Sequence, residues 1–444
     1  MQRVLLGLML CLLPACAQEI RPLTILHSND LHAHLMPNDL GLGGFARLAT
    51  AVREEKAGCA ACLYLNAGDL VQGTPVSTLF HGVPVYEIAN LLGLDAATLG
   101  NHEFDYGWRR VREFIKIAKF PMVSANILDE RGRPVSGHPY VIKTVGGIRV
   151  GIIGATLGDM VGNVVRKDDV GPWKVLPVVE TVKKYAAEIR DRTDVIVVLG
   201  HIHDQEEVDA ILHDVPDVSV VVAGHTHVAY KQMMSFVGSD GAPRVGVLVN
   251  SYGVQLGRLD LQVDMAHKTL KSAVWSKIAI DDNFAEDPAV KKVVAGWEAK
   301  VTKLVDVPIG ETTTRLDQFD PVLRKLIEQS MAEATGADFA WINQGNIRDS
   351  LRTGPLLIRY IWDMLPFDNY IVFGKFKGSE LPPAVTSRYP VDPDKIYTMA
   401  TADFSATNQA AADQFQTTTL RFPNTGPLQR ETMIEWVKKK KVLP

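Results

Sequence analysis

Cysteine is almost missing from this 444-residue chain: there are four, and Cys11 and Cys16 fall within the first sixteen positions. The rest carries only Cys59 and Cys62, one C-x-x-C, which is half of a zinc site. Nothing around the pair reads as a thioredoxin unit, so the expectation is a small structural disulfide. A basic excess is missing too. The formal net charge of -4 leaves no electrostatic footprint for a nucleic acid polymer, and Lys438–Lys441 reads as a solvated helix end. After Leu13 no apolar run reaches membrane length, which excludes a transmembrane span in the remaining chain. Internal repeats and low-complexity tracts are absent as well. What is left, 46% hydrophobic and 22% charged, is ordinary globular composition with length for two cores.

The first residues differ from the rest. Arg3 precedes an apolar run from Val4 to Leu13, and Ala15–Ala17 forms a small-x-small cleavage pattern. Residues 1–17 therefore read as a secretory signal peptide, which makes the mature protein periplasmic or secreted. The alternative is a lipid anchor through Cys16 in LPAC, a pattern that Pro14 fits poorly.

Short apolar runs then alternate with helix-like stretches: PLTILHSND, ACLYLNAGD, IRVGIIGAT, DVIVVLGH and VSVVVAGHTH. Continuous apolar strands between helices imply burial on both faces and hence a layered α/β domain, taken as residues 20–280. PAVKKVVAGWEAKV reads as an amphipathic connector inside a linker helix at 281–307. From about Pro308 to residue 444 a second α/β unit follows, and FDPVLRKLIEQSMAEATG in it reads as a helix ending at Gly336.

The chemistry sits at the strand ends. Asp30 and His32 follow TILHSN, Asp69 follows LYLNAG, Asn101 and His102 follow AATLG, His201 follows VIVVLG, and His225 and His227 follow VVVAG. In open α/β sheets the carboxyl ends of the strands share one edge, so residues a hundred or more apart converge on one crevice. A single D-x-H or H-x-H is an ordinary turn; five such ends in one chain are not. Two aspartates, one asparagine and four histidines suffice for two divalent ions if one carboxylate bridges. Imidazole with carboxylate suits Mn, Zn, Fe, Co or Ni. Two ions about 3.5–4 Å apart can hold a hydroxide and clamp a phosphoryl group.

With NDLHAHL, NAGDLVQGTP, LGNHEFDYG, LGHIH and AGHTHV in this order, the chain resembles the calcineurin-like metallophosphoesterases. Within them it is most similar to the exported 5′-nucleotidase and UDP-sugar hydrolase family. The resemblance runs from about Pro22 to Leu261 and, more weakly, from Pro308 to the end. It implies a four-layer α/β/β/α first domain and a smaller α/β domain for substrate recognition. It further implies that Asp30, His32 and His227 bind one metal, that Asn101, His201 and His225 bind the second, and that Asp69 bridges. His102 would pair with Asp105 as a catalytic dyad, a spacing at which side chains face each other on a helical turn. Glu103 is expected to be a solvated or capping carboxylate, and His34 and His203 to lie behind the ligands or on the surface.

In the second unit INQGNIRDS resembles the family's N-G-G-G-I-R, with Asn343, Gly345 and Arg348 matching as substrate contacts. Phe367 in LPFDN and Phe404 in ATADFSAT would clamp a base. Two departures stand out. NQAAA places Ala410 where the family has a ribose-binding aspartate, and the family's arginine before the helix start has only Arg315 or Arg324 as loose counterparts. The expected function is release of phosphate from nucleoside 5′-monophosphates or related nucleotides by a metal-bound hydroxide. The alternatives are a 2′,3′-cyclic nucleotide, UDP-sugar, sugar phosphate or sulfur ester on the same scaffold, or a non-catalytic binding module.

Overall fold

The structure, a computed structural model, describes residues 19–408 and 420–444. The signal peptide expected at 1–17, Cys16 and Ala410 lie outside the described residues.

Two six-stranded sheets stack face to face. The first has the order Thr269–Ala279, Gln255–Asp264, Ile20–Ser28, Cys62–Asn66, Ala96–Thr98, Met122–Val123. The second has the order Met234–Val237, Pro243–Val247, Val220–Ala223, Val195–His201, Ile148–Thr156, Tyr140–Val145. The strands expected to carry the site run parallel to their neighbours: Ile20–Ser28 with Cys62–Asn66, that strand with Ala96–Thr98, and Val195–His201 with Val220–Ala223. Their carboxyl ends therefore share a rim.

The apolar runs are continuous because each strand is covered on both faces. Ile25, Leu63, Leu65, Ile152, Val197 and Val222 fill the space between the sheets. The outer face of the first sheet buries residues such as Leu26, Tyr64 and Ala97 beneath helices Phe45–Ala57, Trp108–Ile117 and Pro288–Val305. Ile153, Ile196, Val198 and Val221 pack under Val178–Ile189 and Asp209–Asp214 on the other side. Each fully buried branched side chain contributes about 1.5–3 kcal/mol. The layering is α/β/β/α. Cys59 and Cys62 are disulfide-bonded in the turn from helix Phe45–Ala57 into strand Cys62–Asn66.

Helix Pro288–Val305 starts at Asp287, whose carboxylate accepts from the amides of Ala289 (2.9 Å) and Val290 (3.2 Å). Its buried residues Val290, Val294, Val301 and Val305 belong to the core of the first sheet. The stretch read as a connector is thus held on the first domain for its whole helical length. Beyond it, strands Phe339–Trp341, Ile396–Ala402, Tyr370–Lys377 and Asn424–Leu428 form a four-stranded sheet, and Gly354–Leu357, Pro308–Thr312 and Val442–Leu443 a three-stranded one. Helices Pro321–Thr335 and Gln429–Lys440 pack with them around Leu323, Ile327, Met331, Met433 and Val437. Gly336 ends the first of these helices in the left-handed conformation, φ 68°, where a side chain would be strained.

One buried histidine serves structure alone. His27, fully buried and paired across the sheet with Gly257, accepts a hydrogen bond from Trp275 Nε1 at 3.0 Å, while its Nδ1 has no partner. A Cβ on residue 257 would run into the imidazole. Burial pushes the His27 pKa down from 6.5 to about 3. Between those values the unfolded chain binds a proton that the fold refuses. Stability should therefore fall as pH drops, by about 1.4 kcal/mol per pH unit from this group. His27→Phe keeps a ring and removes the titration; urea unfolding at pH 7, 5 and 4 should show a shallower acid limb by about that slope.

Candidate active site

Five chain segments leave the sheet rim and turn at once into the site. Asp30, His32, Asp69 and His201 are fully buried there and Asn101 nearly so, with His225 and His227 half-buried beside them. Asp30 (φ 50°), His32 (46°), Asp69 (53°), His225 (89°) and His227 (65°) all adopt positive φ. Each such non-glycine residue costs about 1 kcal/mol or more, and the packed rim imposes it on five of the seven. Gly100 faces the Asp69 carboxylate so closely that any Cβ would overlap it.

The donor atoms converge. His32 Nε2 lies 3.0 Å from His227 Nε2, 3.9 Å from Asp30 Oδ1 and 3.6 Å from Asp69 Oδ2. His227 Nε2 is 3.4 Å from Asp30 Oδ1. Donors of Asp30, His32, Asp69 and His227 lie within 4.8 Å of one another. On the other side of Asp69, His201 Nε2 is 3.1 Å from Asp69 Oδ2 and 3.0 Å from Asn101 Oδ1, which also lies 3.1 Å from His225 Nδ1. Asp69 Oδ2, buried between the two groups, has no hydrogen-bond partner. His201 Nδ1 faces the carbonyl of Ala67 at 2.9 Å, and His32 Nδ1 that of Val71 at 3.3 Å. Those carbonyls take the Nδ1 protons and leave the Nε2 lone pairs aimed inward, as metal-ligating imidazoles require.

The electrostatics agree with this donor set at His32, His225 and Asp69. At His201, by contrast, burial is overcome by the Asp69 carboxylate and the pKa rises to about 9, so a cation there would displace a proton. Burial, then the Arg348 charge, hold His32 well below the usual imidazole range, and burial pushes His225 down to about 3. Burial raises the carboxyl of Asp69, but the imidazoles around it, His201 first, overcome that and hold it well below its ordinary value. Neutral imidazole and ionised carboxylate are the forms that bind metal. An orphaned carboxylate oxygen among inward-facing imidazoles is what a divalent cation would complete.

In LGNHEFDYG the structure brings His102 and Asp105 together and buries Glu103. His102 Nδ1 is 2.8 Å from Asp105 Oδ2 across the turn His102–Phe104, and the His102 amide donates to Asp69 Oδ1 at 2.9 Å. Burial opposes a charge on His102, but Asp105 and then Asp69 outweigh it and raise its pKa. Glu103, expected to be a solvated or capping carboxylate, caps backbone amides but is not solvated. It is fully buried, and its carboxylate accepts from the amides of Asp69 (3.1 Å), Leu70 (2.8 Å) and Gly100 (2.6 Å). Burial, with the Asp69 charge, pushes its pKa up to about 7. A glutamate in this polar turn looks solvated in sequence because two of its three partners lie more than thirty residues away. Glu103→Ala should leave three buried N–H groups unpaired, lowering stability by about 3 kcal/mol or more in urea unfolding.

His34 stacks on Tyr252 with ring centroids 4.1 Å apart, and His203 Nε2 pairs with Asp159 at 3.0 Å, so both stand behind or beside the cluster.

The second domain reaches into the rim. Arg348 Nη2 lies 3.1 Å from His32 Nε2 and 3.4 Å from His227 Nε2, and its carbonyl accepts from the Tyr252 hydroxyl at 3.1 Å. A cavity of about 440 Å³ opens between the domains, lined by Asn101, His102, Asp105 and His225 on one side. Asn343, Gly345, Arg348, Phe367 and Phe404 line the other. The Phe367 ring lies 5.6 Å from that of His102, and Asn343 Oδ1 accepts from Ser405 Oγ at 2.8 Å. Neither loose arginine joins them: Arg315 pairs with Asp39, and Arg324 sits beside Glu328 and Arg388. The cavity's further arginine comes from the first domain. Arg166 donates to Asp403 at 3.0 Å and to Asn369 Oδ1 at 3.3 Å. Its loop, VGNVVRKDD, contains no motif; Asn346 and Asn369, which also line the cavity, stand inside quoted stretches but were not singled out from sequence.

Residues 23–229 match the calcineurin-like phosphoesterase family, and residues 300–388 match the 5′-nucleotidase C-terminal domain. The chain is 30% identical over 411 residues to snake venom 5′-nucleotidase of Naja atra, covering 81% of this chain and 76% of that one. It is 27% identical over 503 residues to protein UshA of Yersinia enterocolitica, covering 94% and 91%. In fold it is similar to the 5′-nucleotidase precursor of Thermus thermophilus, with TM-score 0.85 and 24% identity over 96% and 97% of the two chains.

Proposed function

Because the chain belongs to the 5′-nucleotidase family of calcineurin-like phosphoesterases and is thus a metal-dependent phosphoester hydrolase, we propose that it releases phosphate from nucleoside 5′-monophosphates or related nucleotides. One observation carries the reading: the Asp69-centred donor cluster and the His102–Asp105 pair open onto a cavity whose far wall holds Arg348, Phe367 and Phe404.

In this reading Asp30, His32 and His227 would hold one divalent ion and Asn101, His201 and His225 another, with Asp69 standing between the two sets. The imidazole content favours Mn, Zn, Fe, Co or Ni. Such ions supply Lewis acidity at phosphoryl oxygens and lower the pKa of a bound water. The protein's own residues do the remainder. His102, kept charged by Asp105, donates to oxygen as negative charge develops there. Arg348 offers its planar fork to the phosphate. Phe367 and Phe404 receive the base, with Asn343 and Gly345 beside them. The Cys59–Cys62 disulfide and the leader pattern support a periplasmic or secreted protein, with Cys16 lipidation as the alternative. The division into 20–280, 281–307 and 308–444 belongs to the same reading. Among the described residues no helix is long and apolar enough to cross a membrane.

Ala410 favours a second reading, another ester on the same scaffold, since a ribose-binding carboxylate is missing at that position. Phosphate release from AMP, UDP-glucose, a 2′,3′-cyclic nucleotide and phenyl phosphate by the metal-loaded mature protein decides between them. AMP is expected to have the highest kcat/KM. A higher value for the cyclic nucleotide or the UDP-sugar would replace the first reading with the second, and no release from any ester would leave a non-catalytic binding module.

A further inference from the structure

We propose that Arg430 is a positioning residue for substrate binding: it shapes the loop 365–369 so that the Phe367 ring meets the base. The proposal rests on the reading of the interdomain cavity as a nucleotide site. Pro366, Phe367, Asp368 and Asn369 line that cavity from the loop between helix Ile358–Met364 and strand Tyr370–Lys377. The Phe367 ring is half-buried, with its centroid 5.6 Å from that of the His102 ring and 5.7 Å from the Arg348 guanidinium carbon. The loop that carries it has no regular structure of its own. Something else must fix its path.

Arg430 is the second residue of helix Gln429–Lys440 and only 3% exposed. Its Nη1 faces three consecutive carbonyls, those of Leu365 (3.3 Å), Pro366 (3.0 Å) and Phe367 (3.4 Å), and its Nη2 donates to the Asp368 carboxylate. Among the described residues every side-chain hydrogen bond of Arg430 goes to residues 365–368. Three carbonyls turned toward one point bring their negative ends together, and a buried cation at that point offsets the repulsion. Burial of a guanidinium is itself costly unless it is paired, and Asp368 pairs it. The guanidinium also lies over the Trp362 ring, 3.9 Å from its centroid, which ties it to the helix that precedes the loop. Both ends of the loop are held too. The Arg348 amide donates to the Met364 carbonyl and the Gln429 amide to the Asn369 carbonyl, each at 2.9 Å. Between those ends the chain bends around Arg430, which acts on substrate through Phe367.

Base-on-ring stacking contributes about 5- to 150-fold in binding, and a ring moved off its place loses part of that. The test is the ratio of kcat/KM for AMP to kcat/KM for ribose 5-phosphate, which has no base, in the metal-loaded protein. Arg430→Met removes the donor fork and keeps an unbranched chain against Trp362. Arg430→Lys keeps the charge without the fork, and carries the test if Arg430→Met does not fold. The ratio is expected to fall about three- to tenfold in Arg430→Met and less in Arg430→Lys, with the loss carried by KM for AMP. In a Phe367→Ala background, which lowers the ratio by itself, either change is expected to lower it no further. A merely structural role would add to the Phe367→Ala effect instead of vanishing into it. An unchanged ratio in the Arg430 variants beside a lowered one in Phe367→Ala overturns the role of Arg430 alone. A fall of the same size in the Phe367→Ala background also overturns it, because Arg430 would then act by another route. An unaltered ratio in Phe367→Ala removes the ring as the partner of the base, and the proposal with it. A wild type with no preference for AMP overturns the nucleotide reading as well.

Discussion

Asp69→Asn is expected to abolish metal retention and to lower turnover by more than about 10³-fold, beyond the 10- to 100-fold typical of a residue that only supports a ligand. The reason is its place between two groups of donors. Its Oδ2 lies 3.6 Å from His32 Nε2 on one side and 3.1 Å from His201 Nε2 on the other, and has no other partner. An amide is neutral and carries only one acceptor oxygen. It cannot balance the charge of the divalent ions proposed for this site, and its N–H₂ would face imidazole nitrogens that are themselves needed as donors of lone pairs. Elemental analysis after dialysis, beside steady-state kinetics with AMP, measures both effects. Full metal content with undiminished turnover would remove Asp69 from the bridging role.

His102→Asn is expected to separate the two effects. Metal content should stay, because the contact of residue 102 with Asp69 Oδ1 is made by its backbone amide, which any side chain preserves. Turnover should fall by about 10²–10⁴-fold, the usual size of a lost acid–base or charge-stabilising group. The imidazole is held through Nδ1 by Asp105 at 2.8 Å, which leaves Nε2 for the substrate. Asp105→Asn should lower turnover less, since the ring remains but loses the carboxylate that keeps it charged and oriented. Loss of metal in His102→Asn would instead make His102 a ligand.

The residues of the cluster were readable at the strand ends because the parallel strands that carry them put their carboxyl ends on one rim, and each candidate ligand follows an apolar run. Glu103 was not readable. Its three backbone partners belong to a different strand end or to the start of its own turn, and only their convergence makes a buried carboxylate of it. The connector helix shows the same divide. Valines at 290, 294, 301 and 305 announce an amphipathic helix, yet periodicity does not say which core receives the apolar stripe. The core turned out to be that of the first sheet.

Sequence alone determined the layered α/β class, the helices that begin at Asp287 and Asp320, the seven metal-type residues and the His102–Asp105 spacing. All of these depend on local pattern, on residues a few positions apart or on the end of a strand. Tertiary structure decided the positive φ of five site residues, the burial of Glu103, and the wall of the cavity. Arg166 and Asp403 meet across 237 positions and two domains, and no short-range pattern encodes such a contact. It exists because packing of the loop through Trp173 and of the second domain against the rim brings the two side chains together.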